Sequence, residues 1–380
     1  MKKRAIFLVG GGSGGHITPL LVIAEQLKKD DPSTQVVFVT ERGGKFVRII
    51  TNNIKNPRVK KIWAGKFRRY YGVSLWRQLI DIKTTALNLR DIVLFMIGFF
   101  ESLMIIMLNR PKAVFVKGGF VSLPFGLAAR LLRVPYVTHD SDTKPSLTNK
   151  IIGGGARFNL LAFSDNCKSY DHVKTRKTGV PIASSFKPYT QSEKTRFRQD
   201  LGVPQDAVVL LIVGGSIGAD RLNRAVADIV PELLEKNKKL YIIHQIGEGQ
   251  TDYYKHKNNR LKLIQFIDNM SHFGAASDIV VSRAGATAIS EFATLGRALI
   301  VVPSPYLTGG HQLENAELLK KNQAGLVINE SPALASDILA QIQNLIDDSS
   351  LRKKLEKNIG IFSSEGTAKA VVEILKTIGS

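Results

Sequence analysis

The sequence predicts an α/β protein built from two Rossmann-like domains, each with a parallel sheet. Short apolar strands alternate with amphipathic helices, a glycine loop follows the first strand of each of two such series, and a proline-containing segment separates the series. A chain of 380 residues is long enough for two domains of ordinary size. Its composition, 44% hydrophobic and 22% charged, is that of a globular protein.

Each series is read from apolar runs and their spacing. The first contains predicted strands at 5–9, 36–39, 113–116 and 135–138, with helices at 18–29 and 123–132. The second contains strands at 208–213, 240–244, 261–266, 278–281 and 298–302, with a helix at 220–235. Strands joined by helices predict parallel pairing with right-handed crossovers. The boundary is expected between 178 and 208, where three prolines lie among polar residues.

Charge is unevenly distributed along the chain. The formal net charge is +21; residues 1–180 hold 30 Lys and Arg against 11 Asp and Glu, whereas residues 181–380 hold 23 against 21. Such an excess in one domain indicates a polyanionic partner, either nucleic acid or an anionic membrane surface, unless the source proteome is basic throughout. The single cysteine, Cys167, excludes an internal disulfide and any structural zinc site that needs two cysteines.

The basic excess is concentrated in residues 55–77, from Lys55 to Arg77. This stretch has eight Lys and Arg, no acidic residue and five interleaved aromatic residues, a composition that favours an anionic lipid surface. The apolar stretch 92–108 follows. Glu101 and Ser102 interrupt it and it is shorter than a spanning helix, so we expect a peripheral membrane protein. Single-stranded nucleic acid and a core helix are the competing interpretations, and no nucleic-acid-binding motif accompanies them.

The loop at 10–16, Gly-Gly-Gly-Ser-Gly-Gly-His, joins the first predicted strand to the first helix. Glycines let a ligand approach the backbone and a helix N-terminus attracts anions, although such a loop is also a common tight connection. It is neither a dinucleotide-binding fingerprint nor a Walker loop, because it lacks the acidic residue of the first and the Gly-Lys-Ser/Thr of the second. His16, held neutral at a helix N-terminus, is a candidate general base or a simple helix cap.

Three later segments, 214–219, 282–291 and 309–316, again bring a glycine turn to a predicted helix start. The first adds the hydroxyl of Ser216. The second ends at Glu291, whose carboxylate could accept hydrogen bonds from a sugar diol or else complement the helix dipole. The third supplies His311, Gln312 and Asn315, side chains suited to sugar hydroxyls or to helix capping.

Together these segments resemble the MurG family, the peptidoglycan glycosyltransferases that move N-acetylglucosamine (GlcNAc) from UDP to an undecaprenyl-linked muramoyl-pentapeptide. The similar segments occur in the family's order and extend over nearly the whole chain. They are Gly-Gly-Gly-Ser-Gly-Gly-His at 10–16, Gly-Gly-Phe-Val-Ser at 118–122, Leu-Thr-Asn-Lys at 147–150, Gly-Gly-Ser-Ile-Gly-Ala at 214–219, Phe-Ile-Asp-Asn-Met at 266–270, the segment 283–291, and His-Gln-Leu-Glu-Asn-Ala at 311–316.

The resemblance implies a GT-B fold, with two Rossmann-like domains facing a cleft. Residues 1–182 would form the acceptor- and membrane-facing domain, residues 183–365 the UDP-sugar-binding domain, and the last helix, 366–380, would pack back on the first. The implied reaction is an inverting transfer of GlcNAc from UDP-GlcNAc to the C4 hydroxyl of a muramoyl-pentapeptide on a polyprenyl diphosphate. The enzyme would be peripheral, at the cytoplasmic face of the membrane, with no metal, no other cofactor and no nucleic-acid partner.

The resemblance also assigns site residues. His16 is the first candidate for the general base and Asp140 the second. The residues expected to bind substrate are Ser13, Gly14, Gly15 and Asp142 in the first domain, Ser216 at the donor diphosphate, Ile267 at the uracil, Ala286, Thr287 and Ser290 along the diphosphate and sugar, Glu291 at the ribose, and His311, Gln312 and Asn315 at the GlcNAc hydroxyls.

Several departures from the family pattern bear on the sugar and the acceptor more than on the fold. Asp140 and Asp142 stand where the family's His-Glu-x-Asn has Glu and Asn, Ala183 replaces the arginine of Asn-Pro-Val-Arg, and Phe120 replaces a tyrosine. Residues 140–142 also spell Asp-x-Asp, a metal–nucleotide motif of a different glycosyltransferase fold, so metal binding there is not the preferred interpretation. The open alternatives are a GT-B transferase with another lipid acceptor or UDP-sugar, a UDP-GlcNAc 2-epimerase, and a non-catalytic nucleotide-sugar-binding protein.

Overall fold

The chain forms two compact units, each with its own parallel sheet. The computed structural model describes residues 5–12, 14–44, 46–66, 81–164, 167–215, 219–247, 253–254, 258–306 and 310–380. The first unit is Met1–Ala183 together with Gly366–Ser380, and the second is Ser184–Glu365. The chain therefore leaves the first unit after Ala183 and returns to it at Gly366.

The first unit has a seven-stranded sheet in the order β3-β2-β1-β4-β5-β6-β7, and every pairing is parallel. Its elements are β1 (Ile6–Val9), α1 (Gly14–Asp30), β2 (Val36–Glu41), α2 (Phe46–Asn53), β3 (Arg58–Ile62), α3 (Ile82–Asn109), β4 (Ala113–Val116), α4 (Ser122–Leu131), β5 (Tyr136–Asp140), α5 (Leu147–Ile152), β6 (Phe158–Leu161), β7 (Thr175–Lys177) and, from the second passage of the chain, α13 (Thr367–Ile378).

The second unit has a six-stranded sheet in the order β10-β9-β8-β11-β12-β13, again parallel throughout. Its elements are α6 (Gln191–Leu201), β8 (Val208–Val213), α7 (Asp220–Lys236), β9 (Leu240–Gln245), β10 (Leu261–Ile264), α8 (Met270–Ala276), β11 (Ile279–Ser282), α9 (Ala286–Thr294), β12 (Ala298–Val301), α10 (His311–Lys321), β13 (Leu326–Val327), α11 (Leu334–Asp347) and α12 (Ser349–Asn358).

Both sheets carry cores on their two faces because alternate residues of a strand point to opposite sides. In β1, Ile6 and Leu8 join the core under α1, whereas Phe7 and Val9 join the core under α4. Each sheet also reverses its strand order once, between β1 and β4 in the first unit and between β8 and β11 in the second. Ligands of open α/β sheets bind outside the carboxyl ends of the strands at such a reversal.

The predicted class, two Rossmann-like parallel sheets, is confirmed, and most predicted strands agree with the observed ones within two residues. The helix expected over 18–29 begins earlier, at Gly14, because two glycines of the loop already form its first turn. The edge strand Arg58–Ile62 was missed. Its burial pattern is mostly exposed, so its sequence lacks the apolar run that revealed the central strands.

Candidate active site

The glycine loop after β1 lies at the carboxyl edge of the first sheet. A Cβ on Gly11 would lie 2.0 Å from Oε2 of Glu41, so close packing requires glycine there, and the N–H of Gly12 donates to Oε1 of Glu41 at 3.3 Å. By contrast, a Cβ on Gly14 would meet no described atom within 4 Å. The loop therefore offers space on its Gly14 side. Ser13, an expected substrate-binding residue, lies outside the described residues.

His16 lies in the first turn of α1, next to the exposed Gly15. Its Nδ1 is 3.0 Å from the carbonyl oxygen of Gly11. Because a carbonyl oxygen only accepts hydrogen bonds, we assign the proton to Nδ1, and in the neutral ring Nε2 is then the atom that can accept one. Gly119 makes room for the ring: its φ is +81°, and a Cβ there would lie 3.0 Å from Cε1 and Nδ1 of His16. The imidazole is thus held in one orientation by the carbonyl oxygen of Gly11 and by the close approach of Gly119.

Asp140, the second candidate base, is buried at the end of β5. Its Oδ1 accepts from the N–H of Ser146 and from Nδ2 of Asn149, both at 2.9 Å, and its Oδ2 accepts from the hydroxyl of Tyr170 at 2.6 Å. Burial raises the pKa of this carboxyl, while these hydrogen bonds and the charge of Lys117 lower it. Both carboxylate oxygens are engaged within the unit, where they fix the turn that leads into α5.

Lys117, directly after β4, is a buried cation that sequence reasoning did not select. It is 4% exposed; burial lowers its pKa, and the charges of Asp140 and Asp142 raise it. Asp142, expected to bind substrate, is partly exposed. The neighbouring His139 is fully buried with Nε2 2.9 Å from the carbonyl oxygen of Gly179, and its pKa falls to about 3 through burial and the charge of Lys117. A lysine at the end of an apolar strand was the signal available in the sequence.

A cavity of about 540 Å³ lies between α3 and the chain segments that follow β2 and β3. Its wall includes Glu41, Arg42, Trp63, Arg90 and Phe120. The ring of Phe120 packs on the loop itself, because a Cβ on Gly12 would lie 2.5 Å from Cε1 of that ring. The cavity thus combines charges of both signs with two aromatic side chains, Trp63 and Phe120, of which Phe120 also contacts the glycine loop.

Helix α3 is longer than the apolar stretch 92–108 that the sequence indicated. It has 28 residues, and its segment Thr84–Asn109 is long and apolar enough to cross a membrane, by length and composition only. Less than a quarter of the most apolar part of this segment is buried. The expectation that this helix falls short of a spanning length is therefore corrected. The length of the helix was underestimated because polar residues near the start of α3 interrupt the apolar run without ending the helix.

One face of α3 packs on the unit and the other is exposed. A Cβ on Gly98 would overlap the carbonyl oxygen of Trp63, so helix and chain are in close contact there. Glu101 also belongs to the packed face, since it accepts hydrogen bonds from Arg42 and from the N–H of Trp63, both at 2.7 Å. The exposed apolar side chains recur every three or four residues. They are Leu89, Ile92, Val93, Met96, Ile97, Phe100, Met104, Met107 and Leu108, here called the α3 stripe.

The second unit brings three glycine turns to the carboxyl edge of its sheet, after β8, β11 and β12. Gly215 and Gly310 have φ values of 89° and 65°, which favour glycine. Nε2 of Gln245 donates to the carbonyl oxygen of Gly215 at 3.3 Å and so ties the first turn to the end of β9. Ser216, the expected diphosphate contact, lies outside the described residues.

Helix α9 carries four of the expected donor-binding residues. Ala286 and Ser290 are buried and Thr287 is partly exposed. The hydroxyl oxygen of Ser290 has no hydrogen-bond partner among the described residues. Burial alone raises the pKa of Glu291 to about 8, since no described cation or hydrogen-bond donor acts on its carboxyl group. A carboxyl group without a protein partner is suited to receive hydroxyls from a ligand.

The start of α10 holds the three residues expected at the sugar. His311 is partly exposed, and its buried Nδ1 has no partner within the described part of the chain. Oε1 of Gln312 accepts from the N–H of Ser304 at 2.8 Å. Asn315 is 1% exposed and donates to the carbonyl oxygen of Ala284 at 3.1 Å, so it holds the turn before α9.

The remaining predictions concern uracil and metal. Ile267, expected at the uracil, is 5% exposed after β10, and Phe266 beside it is half exposed. In the described ranges, no group of three or more His, Cys, Asp or Glu side chains is placed to hold a metal ion. The Asp-x-Asp oxygens of Asp140 are already bound to protein donors, which leaves that carboxylate unsuited to a metal.

Known proteins resemble this chain over nearly its whole length. Residues 6–157 match the N-terminal domain of glycosyltransferase family 28, and residues 209–373 match its C-terminal domain. A UDP-N-acetylglucosamine–N-acetylmuramyl-(pentapeptide) pyrophosphoryl-undecaprenol N-acetylglucosamine transferase from Caldicellulosiruptor saccharolyticus is 32% identical over 363 residues, 93% of this chain and 92% of that protein. The chain belongs to the MurG family. A relative of the same name from Acetivibrio thermocellus is 31% identical, and the match covers 98% of this chain and 98% of that protein.

The MurG fold agrees with this assignment. The crystal structure of Acinetobacter baumannii MurG has a TM-score of 0.74 and is 22% identical, covering 98% of this chain and 99% of that one. The two α/β units, each with a parallel sheet, therefore form a GT-B fold, as predicted. Membership of glycosyltransferase family 28 makes the chain a glycosyltransferase. Both expectations are confirmed.

The two units of this MurG relative divide the expected site residues between the carboxyl edges of their sheets. Those of the first unit, apart from Ser13, are His16, Gly14, Gly15, Asp140 and Asp142; those of the second, apart from Ser216, are Ile267, Ala286, Thr287, Ser290, Glu291, His311, Gln312 and Asn315. Three further charged residues near these edges were not anticipated. They are Glu41, Lys117 and Glu330.

Proposed function

We propose that this chain transfers GlcNAc from UDP-GlcNAc to the C4 hydroxyl of a muramoyl-pentapeptide linked through a diphosphate to a polyprenyl chain. The hydrogen bond between Nδ1 of His16 and the carbonyl oxygen of Gly11 carries the proposal, because it fixes the ring and assigns the proton to Nδ1, so that Nε2 is the nitrogen that can accept a proton. The names of the relatives support the same donor and acceptor.

In the proposed reaction Nε2 of His16 accepts the proton of the acceptor C4 hydroxyl as its oxygen attacks C1 of GlcNAc. The new C1–O4 bond forms on the face opposite UDP, the bond from C1 to the β-phosphate oxygen breaks, and UDP departs with that electron pair. The anomeric configuration is therefore inverted. The helix N-terminus at α9 and the backbone N–H groups of the turn before it would stabilise the charge that develops on UDP. Protonated His16 then returns its proton to solvent.

The proposed donor contacts follow the second sheet edge. Glu291 would accept hydrogen bonds from the ribose diol, which its unshared carboxyl group supports. Because Oε1 of Gln312 is already bound to Ser304, Nε2 is the atom that would donate to a GlcNAc hydroxyl. The other contacts are proposed by position: Ile267 at the uracil, Ser216, Ala286, Thr287 and Ser290 at the diphosphate and sugar, and His311 and Asn315 at the start of α10.

We further propose that no metal takes part and that Asp140 is a structural residue. Its carboxylate is held by three donors, and the cation that neutralises this region is Lys117. Transfer should therefore proceed at the same rate with and without EDTA. Loss of transfer with EDTA, restored by one divalent cation, would contradict this assignment.

We place the enzyme at the cytoplasmic face of the membrane, as a peripheral protein. The α3 stripe would enter the interface, and the exposed basic residues of the stretch 55–77 that the structure describes would meet anionic headgroups. Those residues are Lys55, Arg58, Lys60, Lys61 and Lys66; residues 67–77 lie outside the description. The cavity lies between α3 and the segments after β2 and β3, so it could receive part of a head group whose lipid enters at α3.

The transfer is tested by UDP release from purified protein with UDP-GlcNAc, with and without a short-chain muramoyl-pentapeptide diphosphate lipid. Acceptor-dependent release is expected, and His16→Asn should reduce it by at least about a hundredfold, since Asn can keep the bond to Gly11 but cannot accept the proton. His172→Ala, at an exposed histidine of the same unit, should leave the rate unchanged. Release without an acceptor, or epimerisation of UDP-GlcNAc, would contradict the proposal.

The membrane proposal is tested by cosedimentation with vesicles of anionic or zwitterionic phospholipid. The double substitution Phe100→Gln and Met104→Gln removes two members of the α3 stripe, which are 57% and 59% exposed. It should weaken binding to anionic vesicles at least about fivefold without lowering the melting temperature, because the lost apolar area is not part of the folded core. Ile361→Gln, which changes a 52% exposed residue of the second unit, is the matched control. Equal binding by all three proteins would refute the docking surface.

A further inference from the structure

A buried carboxylate joins two of the strand ends at the proposed donor site. Glu330 lies three residues after β13, and its side chain is 2% exposed. Its Oε1 pairs with NH1 of Arg283, the residue that follows β11, and its Oε2 pairs with NH1 of Arg221, in the first turn of α7, at 3.3 Å. Burying a carboxylate costs free energy unless it is paired, so the two arginines account for its place in the fold.

The two arginines differ in how firmly they are held. Arg283 is 14% exposed and also donates to the carbonyl oxygen of Val302 at 3.0 Å, so it anchors Glu330 to the end of β12. Arg221 is 60% exposed. It reaches Glu330 from the opposite side and is the member of the cluster that extends towards solvent.

Arg221 also holds residues 304–306, a segment that follows β12. Its NH1 donates to the hydroxyl of Tyr306 at 2.6 Å, and its guanidinium lies 5.1 Å from the centre of the Tyr306 ring. Two residues earlier, the N–H of Ser304 donates to Oε1 of Gln312. These three residues are therefore held at two points, by Gln312 at Ser304 and by Arg221 at Tyr306.

We propose that Glu330 is a positioning residue for the sugar end of the donor site, acting through Arg221 and Tyr306. This inference rests on the proposed function, in which Nε2 of Gln312 meets a GlcNAc hydroxyl. Charge-assisted hydrogen bonds to a buried carboxylate fix the guanidinium, the guanidinium fixes the tyrosine, and the segment then holds Gln312 in one orientation. Without Glu330 the segment has to become ordered when the sugar binds. The conformational entropy lost in this ordering weakens the affinity for the sugar.

The test compares the affinity of each variant for UDP-GlcNAc with its affinity for UDP, which lacks the sugar. Arg221→Ala and Glu330→Gln should each weaken UDP-GlcNAc binding on the order of tenfold and change UDP binding less than about twofold. In steady state KM for UDP-GlcNAc should rise while kcat changes less than about twofold. A purely structural ion pair would lower the melting temperature without changing this ratio of affinities. Arg221→Ala keeps Glu330 paired with Arg283, so it remains informative if Glu330→Gln folds poorly.

Arg224→Ala is the matched control. It removes a guanidinium from the same helix one turn later, where Arg224 pairs with Asp220 at 3.0 Å, and it should leave both affinities unchanged. If Arg221→Ala lowers both affinities together, or neither, Glu330 does not act on the sugar end and the inference is wrong. If the unaltered protein binds UDP but gains nothing from the sugar, the proposed donor fails, and this inference fails with it.

Discussion

Binding of UDP-GlcNAc is expected to tighten as pH rises through neutrality, because of Glu291. Burial raises the pKa of this carboxyl to about 8 from an ordinary value of 4.5, so the side chain is mostly neutral at pH 7. Ribose hydroxyls donate to the ionised form, so binding lowers this pKa and releases a proton. Affinity then rises by up to about tenfold per pH unit well below the free-state pKa, and by up to about fiftyfold from pH 6 to pH 8, since half of the carboxyl groups are already ionised at a pH equal to the pKa.

Isothermal titration calorimetry measures both parts of this prediction. The affinity is determined at pH 6, 7 and 8, and the proton release from titrations in two buffers of different ionisation enthalpy. UDP-GlcNAc is the suitable ligand because its diphosphate diester has no group that titrates in this range. Glu291→Gln should bind weakly and without pH dependence. An affinity that is the same at pH 6 and pH 8, with no proton released, would refute the assignment of Glu291 to the ribose.

Three further predictions concern the two cores and the loop at His16. Gly119→Ala should lower kcat at least about tenfold and leave the donor affinity unchanged. The new Cβ would meet the His16 ring, and a φ of +81° strains a residue other than glycine by about 1–3 kcal/mol. Transfer assays measure kcat, and donor titrations measure the affinity. Tyr170→Phe should lower the free energy of unfolding, measured by urea denaturation, by about 1–3 kcal/mol, because buried Asp140 loses a hydrogen-bond donor. An unchanged free energy of unfolding would show that the hydroxyl contributes nothing to stability. His139 and His244 are buried, and their pKa values are lowered to about 3. The unfolded chain therefore binds more protons than the folded one, so the free energy of unfolding should fall progressively as pH drops from about 6.5 towards 3. Urea unfolding at pH 7 and pH 5 measures this fall, and His244→Gln should make it smaller.

The sequence predicted the central strands of the two sheets better than the strands at their edges. β4 and β8 have the predicted bounds because both are buried apolar runs between breakers. β3 and β13 escaped prediction for different reasons. The first is an exposed edge strand rich in charge, and the second has only two residues, so neither carries a periodic signal.

The position in the fold of a candidate site residue was predictable where the residue is local to a glycine turn. His16 and Glu291 each follow such a turn at a helix start, and a motif of this kind is visible in one stretch of sequence. Lys117 and Glu330 were missed because their partners come from other strands, so only the folded sheet brings the charges together. Asn315 was expected at the sugar, yet its side chain is turned to a backbone carbonyl, an orientation that no sequence pattern specifies.

Helix α13 gives the first unit an unusual order of assembly. Val371, Val372 and Leu375 belong to the same core as β1 and α1, Thr367 donates to the carbonyl oxygen of Thr178, and Lys376 pairs with Asp30 at 2.8 Å. During synthesis this core stays uncovered on one side until the whole second unit has left the ribosome. The nascent first unit therefore exposes the apolar surface that α13 later covers, whereas the second unit, uninterrupted in sequence, can reach its native packing before the first does.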